Sequence, residues 1–252
     1  MSTSTHVLIP GAWMGAWIWR DTVTRLTGRG IAAMTLTLSG LSPAVGQPPS
    51  ADASTVGLLQ HVHDVIDHLD ALDLHDVVLV GHSYSGLIAG MVADRLGRRV
   101  RHTVYIAAFL PRQGRCLLAD WGHDPQQRRA EMDQVRADGM RWAPPPAAAL
   151  ELEQDLGADD RRMLNAGFVD HPGRTVLEAA TLDRPVTSTA ATYVATAPAG
   201  QDPLANVPAE VRGDLPERWR LRTLTSGHWP MLSAPDAVAD LIVHAHAAGT
   251  SR

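Results

Sequence analysis

The sequence of 252 residues has one cysteine, Cys116, and no lysine, so its 22 basic residues are all arginines. A single cysteine excludes an internal disulfide, which fits a reducing compartment, and we expect a cytoplasmic protein. No apolar run approaches the roughly 18–20 residues that a membrane-spanning helix needs. The first five residues lack the basic and apolar regions of a signal peptide. We therefore expect no membrane association.

The sequence also lacks a basic cluster, and its net charge of -5 is spread along the chain, so we expect no nucleic-acid partner. No phosphate loop, dinucleotide fingerprint or zinc pattern is present, and we expect no cofactor. The run HVHDVIDH at 61–68 suggests a metal site, but on a helix His61 and His63 point about 200° apart and cannot share an ion. We expect no metal, a small-molecule substrate, and a monomer or homodimer.

Short apolar segments alternate with segments of helical periodicity along most of the chain. The pattern predicts strands over 6–9, 31–38, 76–80, 103–108, 192–196 and 219–225. It predicts helices over 15–28, over 85–96, over a weak short segment at 208–215, and over 235–247. Another long helix is predicted to start at Ser54 as N-cap and to bury one face, made of Val56, Leu59, His63, Ile66, Leu69 and Leu72.

Residues 110–188 break this alternation with prolines, charge-rich helical pieces and no strong strand, which favours a helical cap inserted over the sheet. Alternating strands and helices predict an α/β fold with a mainly parallel sheet of about six strands, flanked by helices. We expect one domain over residues 1–252, with 110–188 as its cap insertion.

The motif G-x-S-x-G occurs as GHSYSG, from Gly81 to Gly86. It follows the clearest strand and precedes a helix, the context of a nucleophile elbow. A sharp turn from strand to helix strains the backbone of Ser83 and exposes its hydroxyl, and the glycines let neighbouring backbone pack closely. We predict that Ser83 is a nucleophile; the alternative is an ordinary turn with an incidental serine.

A serine hydroxyl needs a nearby base to become nucleophilic. Among 12 histidines, His228 lies between the last predicted strand and the last helix. In a parallel sheet this loop lies at the same edge as the elbow, so His228 can approach Ser83. We predict that His228 is the base, the alternative being a histidine of a surface loop.

Three segments, IPGAWMGAWIW, GHSYSG and SGHWPMLSAPD, resemble the small plant and bacterial α/β-hydrolases that include methyl-salicylate-type esterases and hydroxynitrile lyases. The resemblance implies the α/β-hydrolase fold. It also implies an oxyanion hole formed by the backbone N–H groups of Ala12 and Tyr84. Two such donors can each lower the barrier by about 3 kcal/mol.

The sequence departs from this family at several positions. Pro10 replaces a histidine, so a buried hydrogen bond of the first loop is missing or replaced. Hydroxynitrile lyases carry a threonine where this chain has Gly11, and a lysine where it has Trp229, which argues against cyanohydrin cleavage. Epoxide hydrolysis and dehalogenation need a carboxylate nucleophile, and Ser83 argues against both.

The triad acid of the family is the least regular feature. Its expected position holds Ala199, and the nearest carboxylate is Asp202, three residues later. We predict Asp202 as the acid that orients His228; the alternative is that Asp202 only initiates a turn before Pro203. Losing this partner costs serine proteases roughly 10⁴ in turnover.

The substrate pocket is expected between the sheet edge and the cap, where aromatic side chains favour an apolar, aromatic or polyketide-like substrate. Its candidate lining residues are Gly11, Trp13, Tyr84, Phe109, Trp121, Trp142 and Trp229. The alternative is that several of these aromatic residues belong to the core.

Three functions remain open at this point. The first is hydrolysis of a carboxylic ester through an acyl-enzyme. The second is a cyclisation, elimination, lyase or aldol step of secondary metabolism in which Ser83 and His228 only transfer protons. The third is a ligand receptor without catalysis, which the intact Ser83 and His228 disfavour. Of these, we favour hydrolysis.

Overall fold

The computed structural model describes residues 4–122, 124–205 and 207–248, with side chains up to residue 245. Six parallel strands form one sheet in the order β2-β1-β3-β4-β7-β8. They are β1 (His6–Ile9), β2 (Ala33–Thr35), β3 (Val77–His82), β4 (Val100–Ile106), β7 (Ala191–Ala197) and β8 (Trp219–Thr225). A second, two-stranded antiparallel ladder joins β5 (Arg141–Trp142) to β6 (His171–Pro172). The predicted α/β-hydrolase architecture is confirmed.

The central strands are apolar on both sides because each face of the sheet carries its own core. Val77 and Leu79 of β3 belong to one cluster, while Val78 and Val80 belong to the other. Successive side chains of a strand point to opposite faces, so an unbroken apolar run identifies a strand that is buried on both sides.

Helices cover both faces of the sheet. Helices α1 (Arg20–Gly28) and α9 (Pro235–Ala248) pack against one face, and α2 (Leu58–Ala71) and α3 (Ser85–Leu96) against the other. A short helix, α8 (Pro230–Ser233), precedes α9. Four more helices lie between β4 and β7, within residues 110–188: α4 (Pro125–Ala137), α5 (Ala147–Leu150), α6 (Ala158–Gly167) and α7 (Gly173–Leu177).

The predicted start and buried face of α2 are wrong. The helix begins at Leu58, whose N–H donates to the Glu178 carboxylate at 2.7 Å, and Ser54 lies in a separate 3-10 turn. The buried side chains are those of Leu58, His61, Val62, Val65 and Leu69. The apolar pattern misplaced the face because a polar residue, His61, occupies a core position.

The predicted helix over 208–215 is also wrong. Only a 3-10 turn forms there, over Ala209–Val211. Gly213 has φ 82°, a left-handed conformation that ends any helical path, and Pro216 follows soon after. Within the described residues, no helix is long and apolar enough to span a bilayer.

Candidate active site

The turn after β3 has the geometry of a nucleophile elbow. Ser83 has φ 52°, a strained value for a residue other than glycine, and its N–H donates to the Ile106 carbonyl at 3.1 Å. A Cβ on Gly86 would lie 2.3 Å from the Phe109 carbonyl oxygen, and one on Gly81 would lie 2.8 Å from that of Ser85. The strain is therefore held by backbone that packs closely on both sides of the serine.

The sheet order brings the predicted base to this serine. His228 follows β8, at the same edge of the sheet as the end of β3, and its Nε2 lies 3.0 Å from Ser83 Oγ. Desolvation lowers the pKa of His228 to about 4, so the ring is neutral at pH 7. A neutral ring can accept the serine proton at Nε2, as a general base must.

A second histidine, His82, which the sequence analysis did not single out, directly precedes Ser83 and contacts His228. His82 Nε2 donates to the His228 carbonyl oxygen at 2.8 Å, and the two rings lie 5.0 Å apart. Burial and the neighbouring His228 lower the pKa of His82 to about 3, so His82 is a neutral tether rather than a charge. The sequence feature that could have identified His82 is its position in the motif, directly before Ser83.

Asp202 lies apart from His228. Its carboxylate is exposed and accepts a hydrogen bond from the Leu204 N–H at 2.9 Å. This geometry matches the turn-initiating role that was the alternative for Asp202. No side chain in the described part of the chain hydrogen-bonds Nδ1 of His228. The described site is thus a Ser-His pair without a bound acid.

The two backbone groups predicted as the oxyanion hole are the N–H groups of Ala12 and Tyr84. Among the described residues, nothing accepts a hydrogen bond from the N–H of Ala12 or from that of Tyr84. Tyr84 directly follows the serine and caps α3, where backbone N–H groups favour a negative oxygen. Their assignment as oxyanion donors stays a prediction.

Pro10 leaves the first loop without a histidine, and Ser85 links this loop to the elbow. Ser85 Oγ donates to the Ile9 carbonyl at 2.7 Å and accepts from the His82 N–H at 2.9 Å. A Cβ on Gly11 would lie 2.7 Å from Nδ1 of His82. The missing side chain of Gly11 therefore makes room for the His82 ring.

Most of the predicted aromatic residues come together above the site. Trp13 contacts Trp142 at 4.3 Å between ring centroids, and Trp142 contacts Trp121 at 5.0 Å. Phe109 stacks on Trp121 at 5.8 Å. At the other end, Phe168, which the sequence analysis did not single out, bridges Trp13 and Trp229 at 6.2 and 6.1 Å. Trp229 then meets the His228 ring edge-on at 5.1 Å.

A cavity of about 520 Å³ lies beside His228, under residues of the insertion and at the ends of β4 and β7. Of the predicted lining residues, Phe109 and Trp121 line it, whereas Gly11, Trp13, Trp142 and Trp229 are buried and do not. Its wall also carries charged side chains, which are those of Arg112, Asp120, Arg128, Glu210 and Arg212. Arg112 pairs with Glu210 across this wall.

The Tyr84 side chain does not line this cavity but enters a buried network. Its hydroxyl lies 2.8 Å from Nδ1 of His61, and Nε2 of His61 lies 2.8 Å from the Ser39 carbonyl oxygen. Nδ1 of His171 accepts from the Trp13 N–H at 3.3 Å, and its Nε2 lies 3.0 Å from the Thr175 hydroxyl. Both histidines therefore use both ring nitrogens.

Comparison with known proteins places the chain in a family. The sequence profile of the alpha/beta hydrolase family matches residues 7–241, and the chain belongs to this family. The chain is 42% identical over 116 residues to a carbendazim hydrolyzing esterase of Nocardioides sp. (strain SG-4G), which is 46% of each chain. It is 24% identical over 259 residues to putative methylesterase 11 of Arabidopsis thaliana, covering 96% of this chain and 64% of that one.

The chain spans about half or less of the length of the first of these curated relatives. An alpha-hydroxynitrile lyase of Arabidopsis thaliana is 32% identical over 108 residues, so the predicted resemblance to the esterase and lyase group is confirmed. A solved extracellular alpha/beta-hydrolase from a Paenibacillus species superposes with a TM-score of 0.74 at 20% identity, covering 96% of this chain and 98% of that one. This likeness shows the fold.

Proposed function

We propose that the protein is a serine hydrolase of a small apolar ester and works through an acyl-enzyme. The observation that carries this proposal is the 3.0 Å contact between Ser83 Oγ and His228 Nε2 at a strained elbow. Relatives named as esterases and methylesterases support ester hydrolysis rather than another reaction of the fold.

In this mechanism, Ser83 Oγ attacks the ester carbonyl carbon while His228 Nε2 takes the serine proton. The carbonyl oxygen becomes negative and is stabilised by the N–H groups of Ala12 and Tyr84. His228 then gives the proton to the alkoxy oxygen, which leaves as an alcohol. Water then attacks the acyl carbon and loses a proton to His228. The bond between the acyl carbon and Ser83 Oγ breaks, His228 returns the proton to Oγ, and the carboxylic acid is released.

The substrate class follows from the walls of the cavity beside His228. Phe109 and Trp121 offer stacked aromatic surface, which suits an apolar, aromatic or polyketide-like acyl or alkoxy group. The charged side chains of the same wall include Arg112, which Glu210 and Asp120 already neutralise. An uncharged ester therefore meets no unpaired charge from Arg112.

The test is hydrolysis of short-chain p-nitrophenyl esters by the wild type and by Ser83→Ala. We expect measurable turnover by the wild type and a loss of about 10⁴-fold or more in Ser83→Ala. Ser50→Ala, at an exposed serine far along the chain, is the matched control and should keep full activity. Ester turnover that survives in Ser83→Ala contradicts the proposal.

A second candidate is proton transfer without an acyl-enzyme, as in a cyclase, lyase or aldol catalyst. It is favoured by the absence, among the described residues, of an acid at Nδ1 of His228. A protein of this kind would be folded and would bind carbonyl compounds, but would turn over none of the p-nitrophenyl esters. That result would replace the first proposal by the second.

A further inference from the structure

A carboxylate of the insertion holds the loop that carries His228. Asp155 Oδ2 accepts hydrogen bonds from the Gly227 N–H at 2.6 Å and from Ser226 Oγ at 3.0 Å. The carboxylate of Glu153 lies against the same loop at Gly227. Two consecutive residues directly before the base are thus held by Asp155, from the segment between α5 and α6.

The fit between this loop and the two acids is close. A Cβ on Gly227 would lie 2.4 Å from Asp155 Oδ1 and 2.6 Å from Glu153 Oε2, nearer than real Cβ contacts. The glycine is therefore needed because it has no side chain, which lets both carboxylates reach the backbone. This contact gives a physical reason for the glycine in the sequence SGH before the last helix.

Charge strengthens the contact at Asp155. Burial raises the pKa of Asp155, but hydrogen bonds from the Gly227 N–H and from the hydroxyls of Ser233 and Ser226 outweigh it and lower the pKa. Asp155 is therefore ionised at neutral pH, and hydrogen bonds to an ionised acceptor are about twice as strong as neutral ones. Burial and the nearby Asp155 raise the pKa of Glu153, while the His228 N–H opposes them.

The loop needs such support because the His228 imidazole lacks the acid that orients it in a catalytic triad. A triad acid holds the ring through Nδ1, and no described side chain does so here. The backbone around His228 is held instead, by His82 at the His228 carbonyl oxygen and by Asp155 at the Gly227 N–H.

We propose that Asp155 is a positioning residue that keeps His228 Nε2 within reach of Ser83. The proposal rests on the proposed function for its effect on hydrolysis. It also makes the placement of the insertion a condition for a competent base, although Asp155 itself touches neither substrate nor the reacting atoms.

The first test compares Asp155→Ala with Asp155→Asn on a p-nitrophenyl ester. Asp155→Ala removes the acceptor, and we expect kcat to fall roughly tenfold to a hundredfold with KM changed less than about twofold. Asp155→Asn keeps an oxygen for the Gly227 N–H and should retain most of kcat. Asp159→Ala, at an exposed carboxylate on α6, is the control and should behave as the wild type. Equal kcat in Asp155→Ala and the wild type overturns the proposal.

A double-variant cycle guards against simple misfolding. Gly227→Ala alone should lower kcat, because its Cβ meets Asp155, and it should cost less in a protein that already carries Asp155→Ala. Purely additive losses contradict a direct contact between the two positions. Thermal unfolding of each variant shows which of them remain folded.

A third measurement does not depend on hydrolysis. The imidazole ¹H–¹⁵N spectrum of histidine-labelled protein, with His228 assigned through His228→Gln, reports the mobility of this ring. We expect one sharp His228 signal in the wild type and in Asp155→Asn, and a broadened or split one in Asp155→Ala. If the wild type hydrolyses no ester, the proposed function fails, and this spectrum still decides the positioning role: an unchanged His228 signal in Asp155→Ala refutes it.

Discussion

Two pairs of histidines contact the nucleophile elbow, and they differ in how their ring nitrogens are used. His61 and His171 find a polar partner for every ring nitrogen. At the other pair, His82 and His228 each use Nε2, and their Nδ1 atoms have no hydrogen-bond partner in the described part of the chain. Desolvation lowers all four pKa values.

Burial and a lowered pKa do not by themselves identify a catalytic histidine. A ring whose nitrogens are both hydrogen-bonded to the fold has no lone pair or proton left for a substrate. His228 differs because its Nε2 meets a hydroxyl on a strained backbone. We therefore assign the first pair to stability and propose that, in the second pair, His228 takes part in the reaction while His82 holds its backbone.

The largest expected effect is the loss of activity in a variant of His228, which distinguishes its pair of histidines from the other pair. His228→Gln should lower kcat/KM for a p-nitrophenyl ester about 10⁴-fold or more, because no other described base lies at Ser83. Its free energy of unfolding should change by less than about 1 kcal/mol, since only one side-chain hydrogen bond is lost. Retained hydrolysis in His228→Gln would contradict the proposal that the two pairs of histidines differ in role.

The reverse result is expected at His61. His61→Leu leaves the Ser39 carbonyl and the Tyr84 hydroxyl without their buried partner, and we expect a loss of about 2–4 kcal/mol in the free energy of unfolding. Activity of the folded variant should stay within about threefold of the wild type. His63→Leu, two residues along α2 at an exposed site, is the control in denaturant unfolding. Equal stabilities of the two variants would contradict the structural role.

Acid should weaken the fold through these same histidines. The folded protein keeps His61 neutral, with its pKa lowered to about 4, whereas the unfolded chain protonates it near its ordinary value of 6.5. The unfolded state thus binds more protons below pH 6.5, and the free energy of unfolding falls as the pH decreases to about 4. For His61 alone the loss is about 3 kcal/mol. Denaturant titrations from pH 7 to 4.5 should show that the free energy of unfolding depends less steeply on pH in His61→Leu than in the wild type. An unchanged pH dependence would contradict the role given to His61.

The rate of hydrolysis should resist acid better than an ordinary histidine allows. Desolvation lowers the pKa of His228 to about 4, so the base loses its proton-accepting form only near that pH. Stopped-flow pH jumps that precede acid unfolding should place the acidic limb of kcat/KM near pH 4. An acidic limb of kcat/KM near pH 6.5 would mean that the His228 ring is solvated in the working enzyme.

The smallest effect is expected at Asp202. Its exposed carboxylate accepts only from the Leu204 N–H, so Asp202→Asn should change kcat/KM less than about twofold. A large loss of kcat with an unchanged KM would show that Asp202 does reach His228 during turnover and would restore the triad.

The parts of the site that the sequence predicted depend on short, local signals. The strand β3, the turn at Ser83 and the loop at His228 each carry a motif whose geometry follows from a few adjacent residues. The order of parallel strands then brings their carboxyl ends together. The predicted six-stranded sheet and the contact between Ser83 and His228 follow from these two facts.

The features of the site that the sequence did not predict depend on contacts between segments that lie far apart in the chain. Asp155 lies 72 residues before Gly227, in an insertion without periodic pattern, and nothing in its neighbourhood marks it as a partner of the base. The predicted buried face of α2 did not include His61, because a core histidine breaks the apolar pattern. Such polar pairs are set by tertiary packing, which a single sequence does not display.

Covalent trapping tests most directly the proposal that Ser83 becomes acylated with His228 as its base. Rapid mixing with p-nitrophenyl acetate, acid quenching and peptide mass analysis should find one acetyl group on Ser83, formed as p-nitrophenol is released in a burst. His228→Gln should show neither the burst nor the acetyl group. Steady hydrolysis with no acetyl group on Ser83, or with the acetyl group on another residue, would contradict the account.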